Sequence, residues 1–140
     1  MTSIFTRIIS GEIPAAKVYE DALTLAFLDI DPASRGHTLV IPKAELPGLL
    51  DLPPDLVAAM AHATQTVAQA LMTALKPDGF NILQNNGQAA GQVVFHYHIH
   101  IIPRWAGDRA VGYWKPGSAT ADELRDLAAL ITAAVSKAGA

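Results

Sequence analysis

The sequence predicts an α+β fold, on three observations. Short apolar runs broken by turn residues follow one another at the pace of antiparallel strands, one long segment of helical periodicity lies among them, and a second closes the chain. The 140 residues, 51% apolar and 16% charged, can bury one hydrophobic core and lie far from the composition of disordered chains. Residues 1–140 are therefore expected to form a single domain.

Ile4-Phe5 and Ile8-Ile9 recur at helical spacing and stop at Ser10-Gly11, which predicts a short N-terminal helix. Val18 to Glu20 and Leu23 to Asp29 are strands flanking Asp21-Ala22. Asp31-Pro32 turns the chain before a further strand, His37-Thr38-Leu39-Val40-Ile41, which ends at Pro42. Pro53-Pro54 suits a helix start, and Leu56, Met60, Val67, Leu71 and Leu75 recur at multiples of three to four residues until Pro77. Phe80 to Leu83 predicts a strand, Asn85 to Gly91 a glycine-bearing loop, and Val94 to Ile102 a second long strand ended by Pro103. Thr120 with Glu123 resembles a capping box, and Leu124, Leu127, Ile131 and Val135 supply the apolar stripe of a C-terminal helix.

The formal net charge of -3, with Lys and Arg scattered, removes the basic footprint of a nucleic-acid binder. The absence of cysteine excludes disulfides and thiolate metal sites. Met1-Thr2-Ser3-Ile4-Phe5-Thr6-Arg7 lacks the pattern of a secretion signal, and no stretch has eighteen uninterrupted apolar residues. A soluble cytoplasmic protein with no membrane partner is expected.

Chemistry concentrates in Phe95-His96-Tyr97-His98-Ile99-His100-Ile101. A period of two puts the three imidazoles on one face of a strand and the apolar residues on the other, so one face makes core and the other a site. A neutral imidazole is a usable nucleophile when its other ring nitrogen is held as a donor to a carbonyl. The middle histidine, His98, has a neighbour on either side able to donate to a phosphoryl oxygen or leaving group. Alternating histidines also suit a solvated strand face, and two at i and i+2 could share a metal with His37 or a carboxylate. The loop Asn85-Asn86-Gly87-Gln88-Ala89-Ala90-Gly91-Gln92 suits a phosphate cradle, although Asn-Gly is equally a common turn.

These residues resemble the histidine-triad (HIT) family of nucleotidyl hydrolases and transferases, whose signature is His-x-His-x-His followed by two apolar residues, here Ile101-Ile102. The similarity extends over Ile4 to Pro14, Val18 to Asp21, Ala26 to Ile30, Gly36 to Lys43 and Asn85 to Arg104. Ile102-Pro103-Arg104-Trp105 and the C-terminal helix look most like the small bacterial members.

The resemblance implies a five-stranded antiparallel sheet with flanking helices, assembled as a homodimer with a continuous sheet. It implies action at the α-phosphorus of purine nucleotide conjugates, with an AMP-like ligand, and a covalent nucleotidyl intermediate on His98. His96 and His100 would support His98, and His37 would join the cluster. Asp29 would accept the ribose hydroxyls, Asn85 would contact the ribose-phosphate region, and backbone groups of Gly91, Gln92 and Val93 would hold the phosphate. Phe5, Ile8, Ile13, Phe27 and Ile30 would line the base pocket. No cofactor is required, and magnesium would enter only on the substrate. Alternatives are a dinucleoside polyphosphate hydrolase and a nucleotide-binding interaction module with vestigial activity. Asp29 also suits a turn start, Phe5, Ile8 and Ile13 suit core, and His62 has no family role.

Two departures stand out. Many bacterial relatives carry a Cys-x-x-Cys pair and a histidine that form a structural zinc site with the first triad histidine; the matching positions here are Ser3, Thr6 and Glu45. These are poor substitutes for soft ligands, so no structural zinc and a freer His96 are expected. At Val93, relatives usually place Ser or Thr able to hydrogen-bond the leaving group, and that donor is missing here.

Overall fold

The computed structural model describes residues 2–138. Strands β1 (Lys17–Glu20), β2 (Thr24–Leu28), β3 (Thr38–Pro42), β4 (Gly79–Leu83) and β5 (Ile99–Arg104) form one antiparallel sheet in the order β1-β2-β3-β5-β4. Because side chains alternate along a strand, each face of this sheet has its own core. Ala26, Val40, Ile99 and Ile101 pack against Leu56, Met60, Ala63 and Val67 of the long helix α2 (Pro54–Leu75). Leu25, Phe27, Leu39 and Ile41 turn the other way, toward Phe5 and Ile8 of the short helix α1 (Ile4–Ile9). Covered on both faces, β2 and β3 carry nearly continuous apolar runs.

Helix ends follow local chemistry. Ser3 caps α1 by accepting the Thr6 amide on its hydroxyl at 3.0 Å. Pro54 opens α2 where a backbone donor would have no partner, and Lys76, left-handed at φ 52°, ends it before Pro77.

Two expected boundaries move. The second long strand starts at Ile99 rather than Val94, because residues 94–98 spend their backbone groups outside the ladder: the Tyr97 amide donates to the Leu46 carbonyl at 2.7 Å, and the Val94 carbonyl accepts from the Gln92 side chain. Phe95, expected on the core face, is consequently 53% exposed, whereas Tyr97, Ile99 and Ile101 are buried against α2. Nor does Pro103 end the strand. It lies opposite Phe80 of β4, beyond the last β3 pair at Thr38 and Ile101, so its missing amide costs no ladder bond.

The C-terminal helix α3 (Ala121–Ala138) forms as expected, with the Thr120 hydroxyl accepting the Glu123 amide at 3.1 Å. Its stripe of Leu124, Leu127, Ile131 and Val135 is more than half exposed, and among the described residues it joins neither core cluster. Among the described residues no helix is long and apolar enough to cross a membrane.

Candidate active site

A cleft of about 730 Å³ opens on the α1 side of the sheet, large enough for a nucleotide. Its apolar wall is Phe5, Ile8 and Ile13 facing Phe27, with Ile30, 90% exposed, on the rim. Phe5 and Ile8 serve the core and the cleft together: they are buried, and the Phe5 ring sits edge-on to Phe27, its centroid 5.6 Å away.

Asp29 and His37 reach the cleft from either end of the turn that joins β2 to β3. Gly36 makes the turn possible: its φ is +88°, and a Cβ there would run into Leu75 Cδ1. Asp29 divides its carboxylate between the turn and the cleft. Its Oδ1 accepts the Asp31 amide at 2.8 Å, opening the turn, while Oδ2 lies 3.6 Å from His37 Nε2 at the cleft wall.

Hydrogen-bond partners assign the imidazole tautomers, because amides only donate and carbonyls only accept. The Ala33 amide donates to His37 Nδ1 at 2.9 Å, so the His37 proton is on Nε2, which donates to His100 Nδ1 at 2.9 Å. His100 therefore carries its proton on Nε2 and can donate it. His98 Nδ1 donates to the His96 carbonyl at 2.7 Å, leaving Nε2 with a bare lone pair on a residue that lines the cleft. The His98 ring lies between those of Phe5 and His100, with centroids 5.1 and 5.0 Å away.

His96 is the exception. It is fully buried and does not line the cleft: Nε2 donates to the Pro42 carbonyl at 2.8 Å, and Nδ1 accepts from the Ser3 hydroxyl at 2.7 Å. The expectation of a freer His96 is thus corrected, since Ser3 occupies its Nδ1 and Pro42 its Nε2. Ser3, Thr6 and Glu45 do meet beside it, but as a closed set of hydrogen bonds with no lone pair of His96 left over. That donor set does not fit zinc. Asp29, His37 and His100 also converge within ligand distance of one another. His37 Nε2, carrying a proton while Nδ1 accepts from Ala33, is a donor there rather than a ligand.

The loop expected to cradle a phosphate has fewer open donors than the sequence suggested. The amides of Gly91 and Gln92 are spent on Gln88 and Gly87, and the Gln92 side chain is buried as a brace to Pro47, Val94 and Gly87. Gln92 is therefore structural rather than a ligand contact. The amides of Val93 and Val94 and the side-chain amide of Asn85 have no partner among the described residues, and all three residues line the cleft. Val93 itself is 85% exposed at the mouth. Among the further lining residues that sequence reasoning missed are Val94, Asp31 and Ala110 to Gly112. The last segment is held beyond β5 by Asp108, which accepts from Arg104 at 2.6 Å and from the Trp105 amide at 2.7 Å. An Arg–Asp pair at i, i+4 was the only signal for it. His62 is exposed on α2, as its lack of a family role suggested.

Burial makes His37, His96 and His100 harder to protonate. It pushes His37 and His96 below their ordinary 6.5, against the opposing pull of Asp29 on the first and of the Pro42 carbonyl and Glu45 on the second. His100 falls to about 4, through burial and then the repulsion of positive charge at His98 and His37. The three are harder to protonate folded than unfolded, so below pH 6.5 the unfolded chain takes up protons that the folded one resists. Stability should be full above about pH 6.5 and decline as pH falls toward 4. Thermal unfolding followed by circular dichroism at successive pH values checks this, and a flat unfolding temperature over that window would contradict it.

A five-stranded sheet with three imidazoles, His37, His98 and His100, at a nucleotide-sized cleft and a fourth, His96, buried behind them defines the class: an α+β protein with a histidine-built site. The family model described as HIT domain matches residues 10–107, and the chain belongs to that family. It is 50% identical over 113 residues to Protein hit of Bacillus subtilis, covering 80% of this chain and 78% of that protein. It is 52% identical over 101 residues to adenylylsulfatase HINT3 of Arabidopsis thaliana, covering 72% of this chain and 51% of the plant protein. Adenosine 5'-monophosphoramidase hnt1 of Schizosaccharomyces pombe is 39% identical over 128 residues, 91% of this chain and 93% of that one. The crystal structure of a HIT family member from Bacillus subtilis matches with a TM-score of 0.89 at 42% identity, covering 94% of this chain and 96% of that one.

Proposed function

We propose that the protein hydrolyses or transfers purine nucleotide conjugates of the phosphoramidate type, acting at the α-phosphorus through a nucleotidyl-histidine on His98. The observation that carries this is the tautomer of His98: its Nδ1 proton is committed to the His96 carbonyl, so the lone pair is on Nε2 at the cleft. Names of relatives support the same class, an adenylylsulfatase and an adenosine 5'-monophosphoramidase.

In the first step Nε2 bonds to phosphorus and the bond from phosphorus to the leaving nitrogen breaks; the nitrogen takes its proton from solvent at the open mouth. The phosphorylated imidazole is cationic, and its Nδ1–H strengthens its hydrogen bond to the His96 carbonyl. Water then attacks phosphorus, the bond to Nε2 breaks, and the monophosphate leaves with His98 neutral again. His100 Nε2–H, the Val93 amide and the Asn85 amide donate to the phosphoryl oxygens, Asp29 accepts from the ribose, and the base lies between Phe5, Ile8, Ile13, Phe27 and Ile30.

Among the described residues no Lys or Arg lines the cleft, and Asp29 and Asp31 do. Neutral donors suit a phosphoryl group of low charge better than a polyphosphate chain, which favours a phosphoramidate over a dinucleoside polyphosphate. Incubation with adenosine 5'-phosphoramidate should show a transient adenylate adduct by intact mass and release AMP, with kcat/KM at least about tenfold above that for a diadenosine polyphosphate. Nucleotide binding with neither adduct nor turnover would favour the binding module, and faster cleavage of the polyphosphate would reverse the order.

The assembly proposed with this activity is a homodimer whose two sheets join. Strand β4 is a sheet edge with Phe80, Ile82 and Leu83 between 42% and 49% exposed, and α3 carries an uncovered apolar stripe. Light scattering would then report twice the 14.8 kDa of one chain; a monomer at micromolar concentration would refute it. Action in the cytoplasm belongs to the same proposal and would be tested by fractionating cells that make the protein.

A further inference from the structure

We propose that Glu45, an exposed carboxylate that does not line the cleft, is a positioning residue for the nucleophile, acting through Ser3 and His96; this rests on the role given to His98 above. Glu45 Oε1 accepts two short hydrogen bonds from the start of α1, from the Ser3 amide at 2.6 Å and from the Thr6 hydroxyl at 2.6 Å. A carboxylate can only accept, so the Thr6 hydroxyl proton is committed to it. The Ser3 oxygen accepts the Thr6 amide at 3.0 Å, and its own proton goes to His96 Nδ1 at 2.7 Å in preference to Thr6 Oγ1 at 3.3 Å. His96 Nε2 is committed to Pro42, and the His96 carbonyl receives the Nδ1 proton of His98. Each donor in the set has one destination, and a continuous path of short bonds runs from a surface carboxylate to the nucleophile.

The path does two things at once. It seats the buried His96 ring, whose backbone carbonyl orients His98, and it pins the first turn of α1, whose Phe5 ring touches His96 and His98 with centroids 5.7 and 5.1 Å away. Glu45 is on the segment after β3, outside both elements that it joins, so it works as a clasp between α1 and the end of the sheet. Hydrogen bonds here take the place that metal coordination fills where relatives carry Cys and His, and they do so with a set of donors and acceptors that leaves no ligand position open.

The test compares Glu45→Ala, Ser3→Ala, the double variant and Glu45→Gln, with adenosine 5'-phosphoramidate as substrate and AMP as ligand. Glu45→Ala and Ser3→Ala should each lower kcat roughly tenfold while AMP affinity changes less than about threefold, because a loosened nucleophile loses alignment rather than binding contacts. The double variant should lose no more than either single one, since both cut the same path. Glu45→Gln, whose amide oxygen still accepts both bonds, should recover most of the loss. In the nucleotide-free protein, the nitrogen-bound proton of His98 Nδ1 should give a sharp downfield NMR resonance that broadens in Glu45→Ala and Ser3→Ala. Losses that multiply in the double variant, a change confined to unfolding temperature, or an unaltered His98 resonance would each overturn the proposal. If the unmodified protein turns over no phosphoramidate, the reaction assigned to it fails, and the NMR arm still decides the role of Glu45.

Discussion

Alanine at His98 is expected to abolish the adenylate adduct and lower turnover of adenosine 5'-phosphoramidate by ~10⁴-fold or more, the scale on which enzymes lose rate when a covalent nucleophile is removed. The fold should survive. His98 lines the cleft, and alanine there removes one hydrogen bond to the His96 carbonyl, worth about 1 kcal/mol, together with the ring's packing against Phe5 and His100, while leaving the core clusters on both faces of the sheet intact. AMP should still bind, because Asp29, Asn85 and the apolar wall are untouched. Two successive displacements at one phosphorus also require retention of configuration, which a chirally labelled substrate would report in the unmodified protein. Residual turnover above about a hundredth of the original would remove His98 from the covalent role.

The second large effect is on stability. Alanine at His96 should destabilise the protein by about 3–5 kcal/mol, since it opens a cavity and strips partners from polar groups around a fully buried ring. For a chain of this length that lowers the unfolding temperature by roughly 10–15 °C. Activity should fall as well, but through misplacement of His98 rather than loss of a reacting group. A His96→Ala variant that melts with the unmodified protein would show that the buried ring is dispensable to the fold.

The contrast between these two histidines marks how far the sequence was legible. His96, His98 and His100 occupy equivalent places in a two-residue repeat, yet one is buried scaffold, one carries the bare Nε2 and one is a donor fixed by His37. The repeat shows that the residues alternate; it contains nothing about Pro42 and Ser3, which fix the tautomer of His96, or about Ala33, which through His37 fixes that of His100. The setting of the Gln92 side chain was out of the sequence's reach for the same reason. Its position in a glycine-bearing loop suited a ligand contact, and its partners Pro47 and Val94 turned it into a brace. Similarly, residues 94–98 have strand alternation, but the Leu46 carbonyl captures the Tyr97 amide and the ladder begins at Ile99.

By itself the sequence determined the α+β class, α1, α2 and α3, the five strands to within a few residues, and the HIT resemblance, which points to Asp29, His37, His98, His100 and Asn85 as candidate site residues. The elements are written in local periodicity and turn residues, the resemblance in a contiguous motif. Only the tertiary structure decided that Asp29 serves turn and cleft with different oxygens, that the amides of Val93 and Val94 rather than those of Gly91 and Gln92 stay open, and that Ser3, Thr6, Glu45 and His96 close into a hydrogen-bonded clasp. The physical reason is that protonation, hydrogen-bond direction and burial are properties of neighbours in space, and Glu45 stands 42 residues from Ser3 along the chain.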